Sequence, residues 1–219
     1  MRTQSLTTYF LAGLLALAPA GLAAQGLSVG AKIGTVGVGG EAALGLTPNL
    51  TIRGGIGFMP FDFESDIEDI DYSVEPPGMF MTAGVDLKLV GPLRLMGGFL
   101  YRSEGIAFAA DVSGSTEVGD ETFTSNGTLE GLVDSSTLSP YLGIGIGHAP
   151  GSGVGVFLDM AVAFTGDPTL ELSATGPISQ EPGFAAELER ERSRAEEDLG
   201  QYYRYWPILS FGIRFGIGR

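Results

Sequence analysis

Trp206-Pro207-Ile208-Leu209-Ser210-Phe211-Gly212-Ile213-Arg214-Phe215-Gly216-Ile217 is the stretch whose reading decides the fold. Pro207, Leu209, Phe211, Ile213, Phe215 and Ile217 fall on one side; Trp206, Ile208, Ser210, Gly212, Arg214 and Gly216 fall on the other. A period of two with a bulky apolar face and a small or polar face is a strand lying between two unlike surroundings. Taken alone, the stretch also fits a soluble sandwich, with Arg214 in water and the aromatics in a core. The rest of the chain excludes that reading, because the pattern recurs along it behind a secretion signal.

Met1–Ala24 supplies that signal: Arg2 is the positive n-region, Phe10–Leu17 the apolar run, and Gly21–Ala24 the small residues of a cleavage site. The apolar run is too brief to span a bilayer, and no later stretch offers about 20 uninterrupted apolar residues. The longest, Gly78–Leu100, is broken by Asp86, Lys88, Pro92 and Arg94. A membrane span in residues 25–219 is therefore a barrel strand, since only helices and closed barrels satisfy the backbone in lipid.

Seven more segments repeat the alternation. Ser28–Ile33 and Val36–Leu46 do so with a change of phase near Gly34-Thr35, and carry Lys32 and Glu41 on their small-residue faces. Leu50–Met59, Met79–Leu89, Leu93–Arg102, Leu138–Ile146 and Val154–Phe164 follow, with Arg53, Asp86, Lys88, Arg94, Arg102 and Asp159 opposite the apolar side. Their lengths suit the roughly 9–11 residues of a tilted membrane strand. Short links (Thr47–Asn49, Gly91-Pro92, His148–Ser152) alternate with long ones (Asp62–Gly78, Asp111–Thr137, Asp167–Tyr205), as periplasmic turns alternate with external loops. For Thr47–Asn49 to be periplasmic, the phase break at Gly34-Thr35 must be a tight outer turn. That gives eight strands; one long bulged strand over 28–46 would leave seven. Pro182–Tyr203 reads as a helix, with Phe184, Leu188, Ala195, Leu199 and Tyr202 tracing a narrow stripe among charges. It is either a solvated helix held by charge pairs, a plug or a docking surface.

The signal, the eight strands and the terminal strand ending near Phe215 resemble the small bacterial outer-membrane β-barrels, of OmpA, OmpX and OmpW type. Three runs resemble more narrowly a group of uncharacterised outer-membrane proteins: Ala31–Leu46, Leu138–Gly147, and the charged helix running into Tyr205–Ser210. The resemblance implies an all-β, eight-stranded antiparallel transmembrane barrel. It also implies that Phe215 is the aromatic read by the barrel-assembly machinery.

Composition bounds the chemistry. The chain has 219 residues, 26 acidic against 12 basic, a formal charge of −14, and no Cys. An acidic chain is no partner for nucleic acid, which needs a basic surface. At 44% hydrophobic it is too apolar to stay unfolded. Glycine is abundant, 35 residues where average usage is about 7%, which points to close packing inside a narrow closed sheet. Lys32, Glu41, Arg53, Asp86, Lys88, Arg94, Arg102, Asp159 and Arg214 are expected to face a lumen just wide enough for side chains, as a salt-bridged polar core. The cationic excess leaves an anion-leaning pore as the alternative. Catalysis is not expected, because His148, the one His, lies in a short turn and cannot serve as a rim base. Asp66, Glu68, Asp69 and Asp71 form an acidic segment that could attract Ca²⁺, but the spacing misses the EF-hand pattern. No cofactor is implied. The expected protein is a monomer in contact with outer-membrane lipid and lipopolysaccharide, with a structural or surface-interaction role. A lipid-modifying enzyme and a secreted lipid-binding barrel, the same alternation turned inside out, complete the alternatives.

Overall fold

The computed structural model describes residues 26–67, 70–147, 151 and 153–217. The signal segment, His148, Glu68 and Asp69 lie outside them. In chain order, β1 (Leu27–Gly34), β2 (Gly37–Gly45) and β3 (Leu50–Phe58) lead to a hairpin of β4 (Phe63–Ile67) and β5 (Ile70–Glu75). Strands β6 (Met79–Val90) and β7 (Leu93–Arg102) lead to β8 (Ile106–Val112), β9 (Thr116–Val118), β10 (Glu121–Phe123) and β11 (Gly127–Asp134). Then come β12 (Leu138–Gly147), β13 (Gly153–Phe164), β14 (Thr169–Thr175), a 3₁₀ turn (Pro177–Gln180), helix α1 (Phe184–Tyr202) and β15 (Tyr205–Gly216).

Eight of the strands close a barrel in the order β1-β15-β13-β12-β7-β6-β3-β2, every neighbour antiparallel. These are the eight expected from the alternation. The phase break at Gly34-Thr35 is a tight turn, not a bulge: Gly34 pairs with Gly37 across Thr35 and Val36. Gly37 takes φ +84°, and a Cβ there would meet the Phe58 backbone carbon at 2.5 Å, so the turn needs a residue without one. Thr35 fastens the tip to β15, its hydroxyl donating to the Pro207 carbonyl at 2.7 Å and accepting from the Leu209 N–H at 2.9 Å.

The barrel faces as the alternation requires. Leu142, Phe211 and Val156 are 56%, 52% and 58% exposed on its outside, whereas Arg214 and Asp86 are 0% and 2% exposed within. A closed sheet with branched and phenyl groups outward is built for hydrocarbon. A secreted barrel with an apolar pocket through its middle is excluded by the same orientation.

The long connections are not the plain external loops that the sequence suggested. They fold into a five-stranded sheet, β14-β11-β8-β5-β4, and a small β9–β10 hairpin. The order of the five repeats that of β13-β12-β7-β6-β3 in the barrel, and each is joined to its counterpart by a few residues. The sheet therefore prolongs one side of the barrel wall beyond its long-connection end. Here the faces are reversed. Phe108, Ala110, Leu129, Val133, Leu170 and Leu172 share one side by register, and Ala107, Ala109, Asp111, Glu130, Leu132, Glu171 and Ser173 share the other. In β7–β8 and in β11–β12 the parity of the inward barrel face continues into the apolar side of the extension.

Helix α1 covers the apolar side. Phe184, Val118, Phe123, Val112 and Ile178 form a buried cluster with Leu188 against it, and the Phe123 and Phe184 rings meet edge-on at 5.0 Å. The helix expected over 182–203 thus docks onto the chain's own sheet by the start of its apolar stripe, Phe184 and Leu188; it is neither simply solvated nor a plug of the barrel. Its charges clasp the hairpin: Glu187 accepts from the Asp120 N–H at 2.9 Å, and Arg190 and Arg194 bind the Asp120 carboxylate at 3.1 and 2.9 Å.

Candidate functional site

The charges of the lumen network arise on seven inward-facing strand positions that sequence parity assigns, one each on β1, β2, β3, β6, β7, β13 and β15. Arg53 on β3 donates to Asp159 on β13 at 2.5 Å, and its Nε lies 3.1 Å from Asp86 on β6. Arg94 on β7 pairs with Asp86 and, at 2.7 Å, with Asp159. Each guanidinium thereby bridges both carboxylates, and each carboxylate both guanidiniums. Strands β3 and β13 stand opposite each other in the barrel order, so the Arg53–Asp159 pair crosses the axis. Charges removed from water hold their ionised forms only when compensated in this way.

A second group adjoins the ring. Arg214 on β15 binds Glu41 on β2, with Nε to Oε1 at 2.9 Å, and its guanidinium lies 4.6 Å from the centre of the Phe157 ring. Glu41 reaches Arg53 at 3.9 Å. Lys32 points across to Thr82 at 3.4 Å. Interior glycines make the room: a Cβ on Gly145 would stand 2.5 Å from the Asp159 carboxylate and 2.7 Å from Arg94, and one on Gly55 2.8 Å from the Lys32 ammonium.

Seven of the nine expected lumen charges meet in this network, and two do not. Lys88 is exposed. It sits at the short-turn end of β6, where the register shifts beside it, and lines a mouth of about 440 Å³ with Arg94 and Gly147. Arg102 lies near the other end of its strand, bonded to Ser135 and lying 5.2 Å from the Trp206 ring centre. Neither makes an ion pair among the described residues. Phe215 points outward, 47% exposed, one residue from the end of β15. In the acidic segment, Asp66 and Asp71 stand opposite each other in the β4–β5 ladder, a hairpin where the sequence suggested a loop.

The lumen is not polar throughout. Val36, Phe80, Leu100, Ala163 and Ile208, with Met96 and Tyr141, form a buried apolar layer toward the long-connection end. Phe80, Leu100 and Ile208 hold inward parity in their strands, so the signal was present; an expectation of a polar lumen hid it. Beyond this layer a cleft of about 720 Å³ separates α1 from the inward face of the five-stranded sheet.

A closed eight-stranded antiparallel barrel with a charged interior and an apolar belt is the architecture of the small bacterial outer-membrane barrel proteins. No family model and no curated sequence matches the chain. Among solved structures it is similar to CarO of Acinetobacter baumannii, with a TM-score of 0.60 and 20% identity over 87% of this chain and 97% of that one. It is similar also to CarO2 of the same organism, with a TM-score of 0.63 and 18% identity over 88% and 99%. At such identities the likeness is one of fold.

Proposed function

We propose that the chain is an integral barrel of a bacterial outer membrane, exported through a cleaved signal, with a sealed lumen that serves as a scaffold for its extramembrane module. The role is structural or one of surface interaction, without catalysis. The observation that carries this reading is the Arg53–Asp86–Arg94–Asp159 ring reaching across the axis, with the Phe80–Leu100–Ile208 layer in series beyond it. An ion crossing the barrel must break paired, desolvated charges and then wet an apolar constriction. Monomeric insertion by the assembly machinery through Phe215, and lipid and lipopolysaccharide around the outer face, complete the proposal.

A second reading has one observation in its favour. Within the network four cations, Lys32, Arg53, Arg94 and Arg214, face three anions, and Lys88 lines the mouth. A narrow anion-leaning passage would use that excess. Planar-bilayer recording decides between the two: the sealed scaffold gives no stepwise conductance at any voltage that the membrane tolerates, and anion-selective steps from the wild-type protein would replace it with the pore.

A further inference from the structure

Helix α1 packs mainly on β14, β9 and the 3₁₀ turn. The inward faces of β5, β8 and β11 opposite it stay open, which is how the cleft of about 720 Å³ arises. Its volume falls within the roughly 300–1,000 Å³ of small-molecule sites. Val74, Phe108, Leu129, Leu172, Leu188 and Leu199 line it and are only half-buried, although they belong to the apolar side. Leaving such surface in water forgoes roughly 25 cal/mol per Å². The neighbouring Phe123–Phe184 cluster shows that the same helix and sheet pack closely elsewhere. The Asp120 clasp, the Glu181 bond to the Ser125 N–H at 2.8 Å and the Arg192 bond to the Leu170 carbonyl at 3.4 Å fix the helix from its start through its third turn, so the gap beside it is held at this width.

The rim selects charge. Glu117, Glu130 and Glu191 line the cleft with neither a hydrogen bond nor a salt bridge among the described residues, while the one cation lining it, Arg194, is bonded to Asp120 and feels Glu191 only through space. An anionic ligand meets net repulsion, and a cation meets three carboxylates against one guanidinium, with Glu117 and Glu191 on the hairpin and helix that flank the gap. We propose that this cleft binds a small cationic amphipath, its apolar body between helix and sheet and its amine at Glu117 and Glu191. This goes beyond the scaffold reading and is independent of whether the lumen conducts.

Octylamine, octanol and octanoate, titrated into the full chain held in an amphipathic polymer free of detergent monomer, test it by methyl NMR. Saturable shifts are expected at Leu129, Leu172, Leu188 and Leu199, with octylamine about tenfold tighter than octanoate, a difference of about 1.4 kcal/mol. The double variant Glu117→Gln, Glu191→Gln should lose about tenfold for octylamine and nothing for octanol. Ala195→Trp should fill the cleft and abolish the shifts while heat-modifiable gel migration reports an intact barrel; if that variant does not fold, the charge variant decides. Octanoate binding as tightly as octylamine, or shifts confined to outer residues such as Leu142 and Leu209, would overturn the proposal.

Discussion

At the scale of single residues, each carboxylate of the lumen ring holds two guanidiniums, and removing one of them leaves its partners facing more of the desolvation penalty. Asp159→Ala leaves Arg53 and Arg94 to share Asp86 as the one carboxylate of the ring, and breaking a buried pair in this way costs about 3–5 kcal/mol. Urea unfolding of the protein in lipid vesicles should show that loss, while the quadruple replacement Arg53→Met, Asp86→Leu, Arg94→Met, Asp159→Leu, which removes the whole ring and leaves none of its four charges unpaired, should recover part of it. The glycines are equally specific. Gly145→Leu places a branched chain where Asp159 and Arg94 already lie, and should cost about 1–3 kcal/mol by overpacking, read as a lower urea midpoint. Much of this was legible in the sequence, because a period of two assigns Arg214, Asp86 and Asp159 to one side without any knowledge of the sheet. Which cation meets which anion was not legible. Arg53 finds Asp159 across the barrel, a pairing set by strand order and stagger. Phe157 was missed for a related reason: its ring lies beneath Arg214 in space that Gly212 leaves, and nothing local marks an inward aromatic as tolerable.

At the scale of elements, the helix is held to its sheet by Phe184, buried at its start, and by carboxylates that titrate. The Arg194 guanidinium, bonded to Asp120, holds that carboxyl below its ordinary value of 3.8. The bond from Ser125 does the same for Glu181 below 4.5. Folded-state values that are depressed mean stabilisation present above the ordinary values and lost as pH falls through the lowered ones. Amide protection factors over 184–202, which divide out the intrinsic pH dependence of exchange, should therefore fall at pH 3 relative to pH 7, with those of the barrel strands unchanged, and Asp120→Asn should lower protection at pH 7 toward that at pH 3. Helix α1 was readable because Pro182 and the Phe184–Leu188–Ala195–Leu199 stripe are local signals. The five-stranded sheet was not read, though β8 and β11 alternate as plainly as the barrel strands do. Their charges sit on what is there the outer side, and short strands set among Ser, Gly and Asp look like acidic loop until their pairing with one another is known.

At the scale of the whole molecule, the same ribbon of strands reverses its faces along its length. In the barrel the outward side carries Leu142, Phe99 and Phe211 and the inward side carries ions; in the extension the outward side carries Glu130, Glu171 and Asp111 and the inward side carries Phe108 and Leu129. The reversal marks where the surroundings change from hydrocarbon to water, near an outward set of aromatics that includes Phe58, Phe99, Tyr101, Phe164 and Tyr205. It gives a direct measure of membrane depth. Leu142→Arg puts a cation on the outer face in mid-barrel, where insertion costs about 2–4 kcal/mol near a bilayer midplane. Ala109→Arg, on the outward side of β8, adds the same group to a surface already facing water and should stay within about 0.5 kcal/mol of the parent. Unfolding free energies in vesicles for the two variants should differ accordingly, and the gap should vanish for Ala109→Arg compared with Ala109→Glu. Equal losses for Leu142→Arg and Ala109→Arg would mean that both faces meet the same medium, and the assignment of the barrel to a bilayer would fall with that result.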